Sequence, residues 1–330
     1  MTAAERYVEI DWLKAISVAA VVWIHCIPNF FATDLSWLDQ WFQHVTRFAV
    51  PGFLLASGFL YAASARAGAP PLVRRLRRLL VPYIVFSLVA VAFRLFYPVP
   101  AYALPERPVW EQLLTGSAMG TYYYVFVFFW LILLAPLVAR IPRRRLGLVV
   151  LLALCLQWAI ESQVIFYAFP FWSIRDPARW MGSFLVGWWL FGQRDRILAA
   201  LGDRALAWSG AALVVCGGLA FALTHTWSVA VLGTLEFMQI YATLALIGCA
   251  ASAIGRVPLA VRWVSDASYS IYLSQLFFVE PVLAEIERVP GEFNWLRALA
   301  AWTAGLGGGG ALAGAARALF GERRARALLG

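Results

Sequence analysis

Charged residues are scarce in this sequence. Asp, Glu, Lys and Arg make up 14% of its 330 residues, against about a quarter in a typical soluble domain. That shortage excludes a soluble domain of useful size. With 62% hydrophobic residues and a mean hydropathy of +0.73, the composition implies a polytopic membrane protein. Closely spaced cysteines are missing too. Cys26, Cys155, Cys216 and Cys249 each sit alone in an apolar run, which argues against a zinc site or redox pair and predicts free, buried, small hydrophobes. The N-terminus lacks the basic patch of a secretory leader. Glu5, Glu9 and Asp11 crowd that region and no small-residue cleavage pattern follows His25, so a retained first span is expected. No internal repeat of the kind found in duplicated transporters is visible.

What is present is a series of apolar runs. A hydrocarbon core about 30 Å thick needs roughly 20 apolar helical residues. Ten runs qualify: approximately 13–32, 46–65, 79–97, 120–139, 146–164, 179–193, 205–224, 229–254, 268–286 and 296–316. The sixth, around "WMGSFLVGWWLFG", reads as short, and the tenth as broken by "GLGGGGALAG", because glycine weakens a helix unless neighbours pack on it. The expected fold is therefore an all-α helix bundle of about ten transmembrane helices, forming a single membrane domain over 1–330. Sixteen tryptophans and twelve tyrosines suit the two membrane interfaces.

The net charge of +9 does not favour nucleic acid, because the basic residues lie between the spans. Arg74, Arg75, Arg77 and Arg78, the group Arg140, Arg143, Arg144 and Arg145, and Arg323, Arg324 and Arg326 all fall on even-numbered connections or at the C-terminus. Arg47, Arg94, Arg107, Arg175, Arg179, Arg288 and Arg297 fall on the other side. Since cytoplasmic loops hold the excess of Lys and Arg, both termini are expected to be cytoplasmic. A multi-pass protein of a cell membrane, bacterial inner or plasma membrane, follows.

The first span, "IDWLKAISVAAVVWIHCIP", carries Lys14 near its start and His25 deep inside. Eleven helical positions turn through about 1100°, close to three full turns, and rise ~16 Å. Lys14 and His25 are expected on one face. Ionisable groups inside a membrane are costly and mark function by default, although Lys14 can snorkel and His25 can bond a neighbouring helix. Arg94, Glu161, Glu236, Gln239 and Glu280 should face the protein interior or its mouths for the same reason. Glu236 and Gln239, three apart in "LEFMQ", share one helix face.

This opening resembles that of the membrane-bound acyltransferase-3 family, in which an Asp-x-Leu-Arg-type start leads to a histidine eleven residues after the arginine. "VPGFLLASGFLYA" (50–62) is similar to the family's phenylalanine, serine and glycine signature, and "RRLRRLLVPYIVF" (74–86) to its basic stretch before a proline. "GSFLVGWWLFGQR" (182–194) resembles its glycine-spaced later span and "ASYSIYLSQ" (267–275) its Tyr-Leu motif. Two positions depart from the pattern. Lys14 replaces arginine, keeping the charge but losing the planar two-pronged fork. Gln275 stands where many members have a second histidine, and an amide cannot titrate.

The resemblance implies transfer of an acyl group, often acetyl, from cytoplasmic acetyl-CoA or another acyl-CoA to a hydroxyl of a carbohydrate or cell-envelope glycan, with no metal. It makes His25 the candidate general base, since an imidazole with an ordinary pKa near 6.5 can take the hydroxyl proton; an acyl-histidine relay is the other chemical option. Lys14, Arg75 and Arg78 are the candidate contacts to the CoA phosphates, the arginines through forked, charge-assisted bonds, although anionic lipid and topology also call for basic residues there. Glu236 and Gln239 are the candidate acceptor contacts. Ser57 and Gly58 read chiefly as close helix packing. Two further readings stay open: an exporter of an acylated glycan or lipid-linked sugar, and an inactive relative. The expected partners are acyl-CoA, a glycan and the bilayer, with no nucleic acid; oligomeric state is not legible.

Overall fold

The computed structural model describes residues 6–26, 42, 44–68, 70–96, 107–165, 170–201, 204–223, 229–287 and 295–329. Among them every regular element is helical. The helices are α1 Val8–Ile24, α2 Ala49–Arg66, α3 Leu72–Phe96, α4 Val109–Thr115, α5 Tyr123–Val138, α6 Arg143–Glu161, α7 Pro170–Ser173, α8 Pro177–Leu201, α9 Arg204–Leu223, α10 Val229–Ile254, α11 Leu259–Glu287 and α12 Trp295–Leu329. Among the described residues, four stretches are long and apolar enough to cross a membrane: His44–Arg66, Leu72–Arg94, Gly120–Val138 and Val231–Ile254.

Helix ends depart from the apolar runs in a consistent way. Helix α1 begins five residues before the expected 13, and α3 and α11 begin at Leu72 and Leu259 rather than at 79 and 268. Hydropathy marks where lipid contact begins, while arginine and leucine are good helix formers that carry the helix on past it. The sixth apolar run lies inside a longer helix, α8, of 25 residues. The glycines do not break the last helix, which stays helical through Gly307–Gly310 and departs only at Gly321 (φ 74°, ψ 160°). Residues 27–32 of the first expected span lie outside the described residues.

The chain divides into two compact units, neither contiguous in sequence: Met1–Ser17, Thr33–Ala69 and Ala135–Ser265 form the first; Val18–Ala32, Pro70–Leu134 and Asp266–Gly330 the second. In the first unit α2 and α8 approach backbone to backbone. A Cβ on Gly58 would stand 2.8 Å from the Phe184 carbonyl carbon, and one on Gly187 2.7 Å from that of Leu55. Glycine is required at both places by space, the close helix approach that small residues permit in membranes. Helices α6, α8 and α10 meet at a buried polar knot. The Ser183 hydroxyl lies 2.9 Å from the Tyr241 hydroxyl, which donates to Gln157 Oε1 at 3.2 Å. The Ser183 backbone N–H also donates to Gln157 Oε1, at 3.2 Å. At one end of α6, Glu161 is held by a forked pair of bonds from Arg179, both 2.8 Å. One face of α6 (Leu148, Leu151, Leu152 and Cys155) is exposed. That corrects the expectation of a buried Cys155: it belongs to an apolar outer stripe suited to lipid.

In the second unit α3 and α11 run side by side in the same direction. Tyr269 donates to the Leu79 carbonyl at 2.8 Å, and further along Phe86 and Phe93 both pack on Phe277, at 6.2 and 5.3 Å between ring centroids. Helix α12 runs back against α11: Arg317 donates to the Asp266 carbonyl at 3.1 Å, a Cβ on Gly309 would meet Ile271, and one on Gly305 would meet Val279. Tyr122 is fully buried and donates to the Leu273 carbonyl at 2.6 Å, which fixes the start of α5 to the middle of α11.

Candidate functional site

The first turns of α1 are built around carboxylates. Asp11 is buried and accepts two bonds from Arg6, 2.9 and 3.0 Å, and one from Ser265 Oγ at 2.7 Å. Glu9 accepts from Arg194 at 3.0 Å and from Ser252 at 2.8 Å. These bonds pin the N-terminal half of α1 within the first unit and explain its early start. Lys14, half-buried, follows Asp11 by three positions, so the two lie on one side of the helix. Asp11 was legible as part of an acidic N-terminus and of the Asp-x-Leu-Arg-type start; its role as an anchor depends on Ser265, 254 residues away.

His25 sits in the turn that ends α1. Its backbone N–H bonds to Val22 and that of Cys26 to Trp23, at 3.1 and 2.9 Å, so the helix tightens to three-residue spacing here and the three-turn register with Lys14 stops at Ile24. The surroundings in the second unit hold this turn firmly. Trp23 stacks on Trp295 at 5.7 Å and 15°, and Trp302 Nε1 donates to the Ala19 carbonyl at 2.9 Å. A Cβ on Gly305 would stand 2.7 Å from both Val22 and Val279, so these residues share one level and His25 lies about one turn beyond it.

Arg75 and Arg78 lie on the first turns of α3, three positions apart and therefore on one side; Arg75 is half-buried and Arg78 exposed. At the far end of α3 Arg94 lies within electrostatic reach of Glu280, the residue next to Val279. Sixteen helical steps lead from Arg78 to Arg94, roughly 24 Å of rise. The arginine pair and His25 are thus at opposite ends of the second unit, with a buried interior between them. Ser87, Ser270 and Gln275 lie in that interior, and neither amide atom of Gln275 has a hydrogen-bond partner among the described residues.

Glu236 and Gln239 belong to α10 in the first unit and do share a face. Glu236 is already engaged: Arg47 bonds one oxygen and His44 Nδ1 lies 3.0 Å from the other. Gln239 is 2% exposed, and its side-chain amide has no partner among the described residues. A Cβ on Gly217 would come within 3.5 Å of that amide. Arg47 and His44 carry no sequence signal linking them to a glutamate 189 residues away. Among the described residues no three His, Cys, Asp or Glu side chains form a metal-binding group.

No curated protein and no solved structure matches this chain. The sequence model of the acyltransferase-3 family, described as an acyltransferase domain, matches residues 7–314 and so spans both units, from the carboxylates of α1 through His25 and the arginines of α3 to the glycines of α12. With the apolar helices that imply a lipid bilayer, this membrane protein is an acyltransferase, and the chain belongs to the acyltransferase-3 family.

Proposed function

We propose that the protein crosses a bacterial inner or plasma membrane about ten times, with both termini cytoplasmic, and moves an acyl group, acetyl in the simplest case, from acyl-CoA to a hydroxyl of a carbohydrate or cell-envelope glycan. The observation that carries this reading is the polarity of the second unit: a pair of arginines opens α3 at one end, and His25 closes α1 at the other. Arg75 and Arg78 hold the CoA phosphates by forked charge-assisted bonds, with Lys14 as a further donor contact. His25 accepts the proton of the acceptor hydroxyl as its oxygen attacks the thioester carbonyl; the C–S bond breaks and the imidazolium returns the proton to the departing thiolate. Glu236 and Gln239 contact the acceptor, Gln239 through an amide with spare donors and acceptors.

A purified preparation in lipid nanodiscs tests the reading, with acetyl-CoA consumption and acyl mass gained by envelope glycan measured on the same samples. The expected result is CoA release coupled to glycan acylation in the wild type and its loss, by about 10²–10⁴-fold, in a folded His25→Ala variant. Glycan movement across a vesicle wall with no CoA released would replace the enzyme with an exporter.

A further inference from the structure

Two charges at the far end of α3 and α11 are poorly satisfied by the protein around them. Glu280 is 6% exposed, and its Oε1 has no hydrogen-bond partner among the described residues. Arg94 donates one bond, to the Ser117 carbonyl at 3.3 Å, while its buried Nε has no partner among the described residues. Thr121 Oγ1, 3% exposed on the residue before Tyr122, is in the same state. Burying a carboxylate is expensive unless hydrogen bonds meet its lone pairs, so an arrangement that leaves one oxygen open calls for a donor from elsewhere. The place is specific. Leu273 and Glu280 are seven residues apart on α11, two turns within about 20°, and Tyr122 is fastened to Leu273, so the start of α5 and Glu280 lie on one face. Arg94, through its bond to the Ser117 carbonyl four residues before Thr121, is held beside the same segment that leads into α5. Glu280 also adjoins Val279, which shares a level with Val22, one turn short of His25.

We infer that Arg94 and Glu280 form a binding subsite for the hydroxyls of a neutral, carbohydrate-like acceptor, in the same unit as His25. The chemistry selects that class. A carboxylate oxygen accepts a hydrogen bond from one hydroxyl, and the guanidinium donates to the oxygen of a neighbouring one. Because the two charges cancel, the pair offers no net attraction to an anion or a cation, and a diol meets both needs at once.

This rests on the proposed glycan-acylating activity, and its test separates the two. The probe is envelope glycan from the producing cells, stripped of O-acyl groups with mild alkali, presented with radiolabelled acetyl-CoA to nanodisc protein. The variant is the double change Arg94→Gln with Glu280→Gln, which leaves no unpaired buried charge; Arg94→Lys, which keeps the charge and loses the fork, is the second. In the double variant the half-saturating glycan concentration should rise about tenfold to a hundredfold, the range for losing a hydrogen bond to a charged group, with the half-saturating acetyl-CoA concentration within twofold of wild type. In Arg94→Lys the glycan value should rise by less. Wild-type dependence on glycan in the double variant, or equal weakening toward glycan and acetyl-CoA, overturns the subsite. A wild type that acylates no glycan overturns the proposed activity, and the subsite with it.

Discussion

Adding one methyl group at Gly58 should separate two helices. The Cβ of an alanine there would sit 2.8 Å from the Phe184 carbonyl carbon, with the carbonyl oxygen nearer still. Carbon atoms prefer about 3.5–4.0 Å, so α2 and α8 must part by on the order of 1 Å. The obstacle is backbone in a helix, which cannot swing aside as a side chain can. Overpacking usually costs 1–3 kcal/mol, and we expect Gly58→Ala to lie near the upper end, about 3 kcal/mol, a factor of roughly 10² in the folding equilibrium. Gly187→Ala should cost a similar amount, because its Cβ would stand 2.7 Å from the Leu55 carbonyl carbon. Both clashes are relieved by one displacement. The double variant should therefore cost clearly less than the sum of the singles, an interaction that a double-mutant cycle reads directly. Unfolding of the detergent-solubilised protein by denaturant, followed by tryptophan fluorescence, gives the values. A Gly58→Ala protein as stable as wild type, or a double variant that is strictly additive, refutes the close approach of these helices.

Other outcomes can be stated briefly. Lys14→Ala should weaken acetyl-CoA binding, while Lys14→Arg should retain or strengthen it by restoring a forked donor; calorimetric titration distinguishes the two, and an unchanged affinity in Lys14→Ala removes Lys14 from the donor site. Replacing Arg75 and Arg78 together by lysine keeps the charge and loses the fork, so acetyl-CoA affinity should fall roughly tenfold; normal affinity in the same titration assigns the run to topology. A cysteine introduced at position 144 of a cysteine-free variant should be shielded from an impermeant maleimide in intact cells, and labelling there would reverse the proposed orientation. Glu161→Gln should leave Arg179 without its charge partner and lower the thermal midpoint, an effect that Arg179→Gln in the same chain should partly reverse.

The sequence announced helices well and their ends poorly. The apolar core of α3 is plain from "LLVPYIVF", but its first turns carry arginines, which no hydropathy window credits even though the side chains are good helix formers. The glycine run of α12 looked like an interruption because nothing local shows what a glycine will touch; Gly305 and Gly309 are accommodated by Val22, Val279 and Ile271, all distant in sequence. The same limit governs the site. The eleven-residue spacing from Lys14 to His25 was readable, whereas the end of α1 at Ile24 depends on turn geometry and on Trp295 and Trp302. Arg94 and Glu280 each stood out as polar groups in apolar surroundings. Their coming within electrostatic reach of one another follows from the parallel packing of α3 and α11, which 185 intervening residues leave unspecified in the sequence.

The interleaving of the two units bears on how the chain is made. Every segment of the first unit has been synthesised once the ribosome has passed Ser265, whereas the second still lacks most of α11 and all of α12 at that moment. During that interval the turn carrying His25 has no Trp295 to stack on and no glycine face beside Val22. A nascent chain arrested there would hold the carboxylate-pinned half of α1 in place with its other half unsupported. Catalytic competence would then be among the last properties acquired during biogenesis, and a late nonsense mutation would yield a membrane-inserted but inert product.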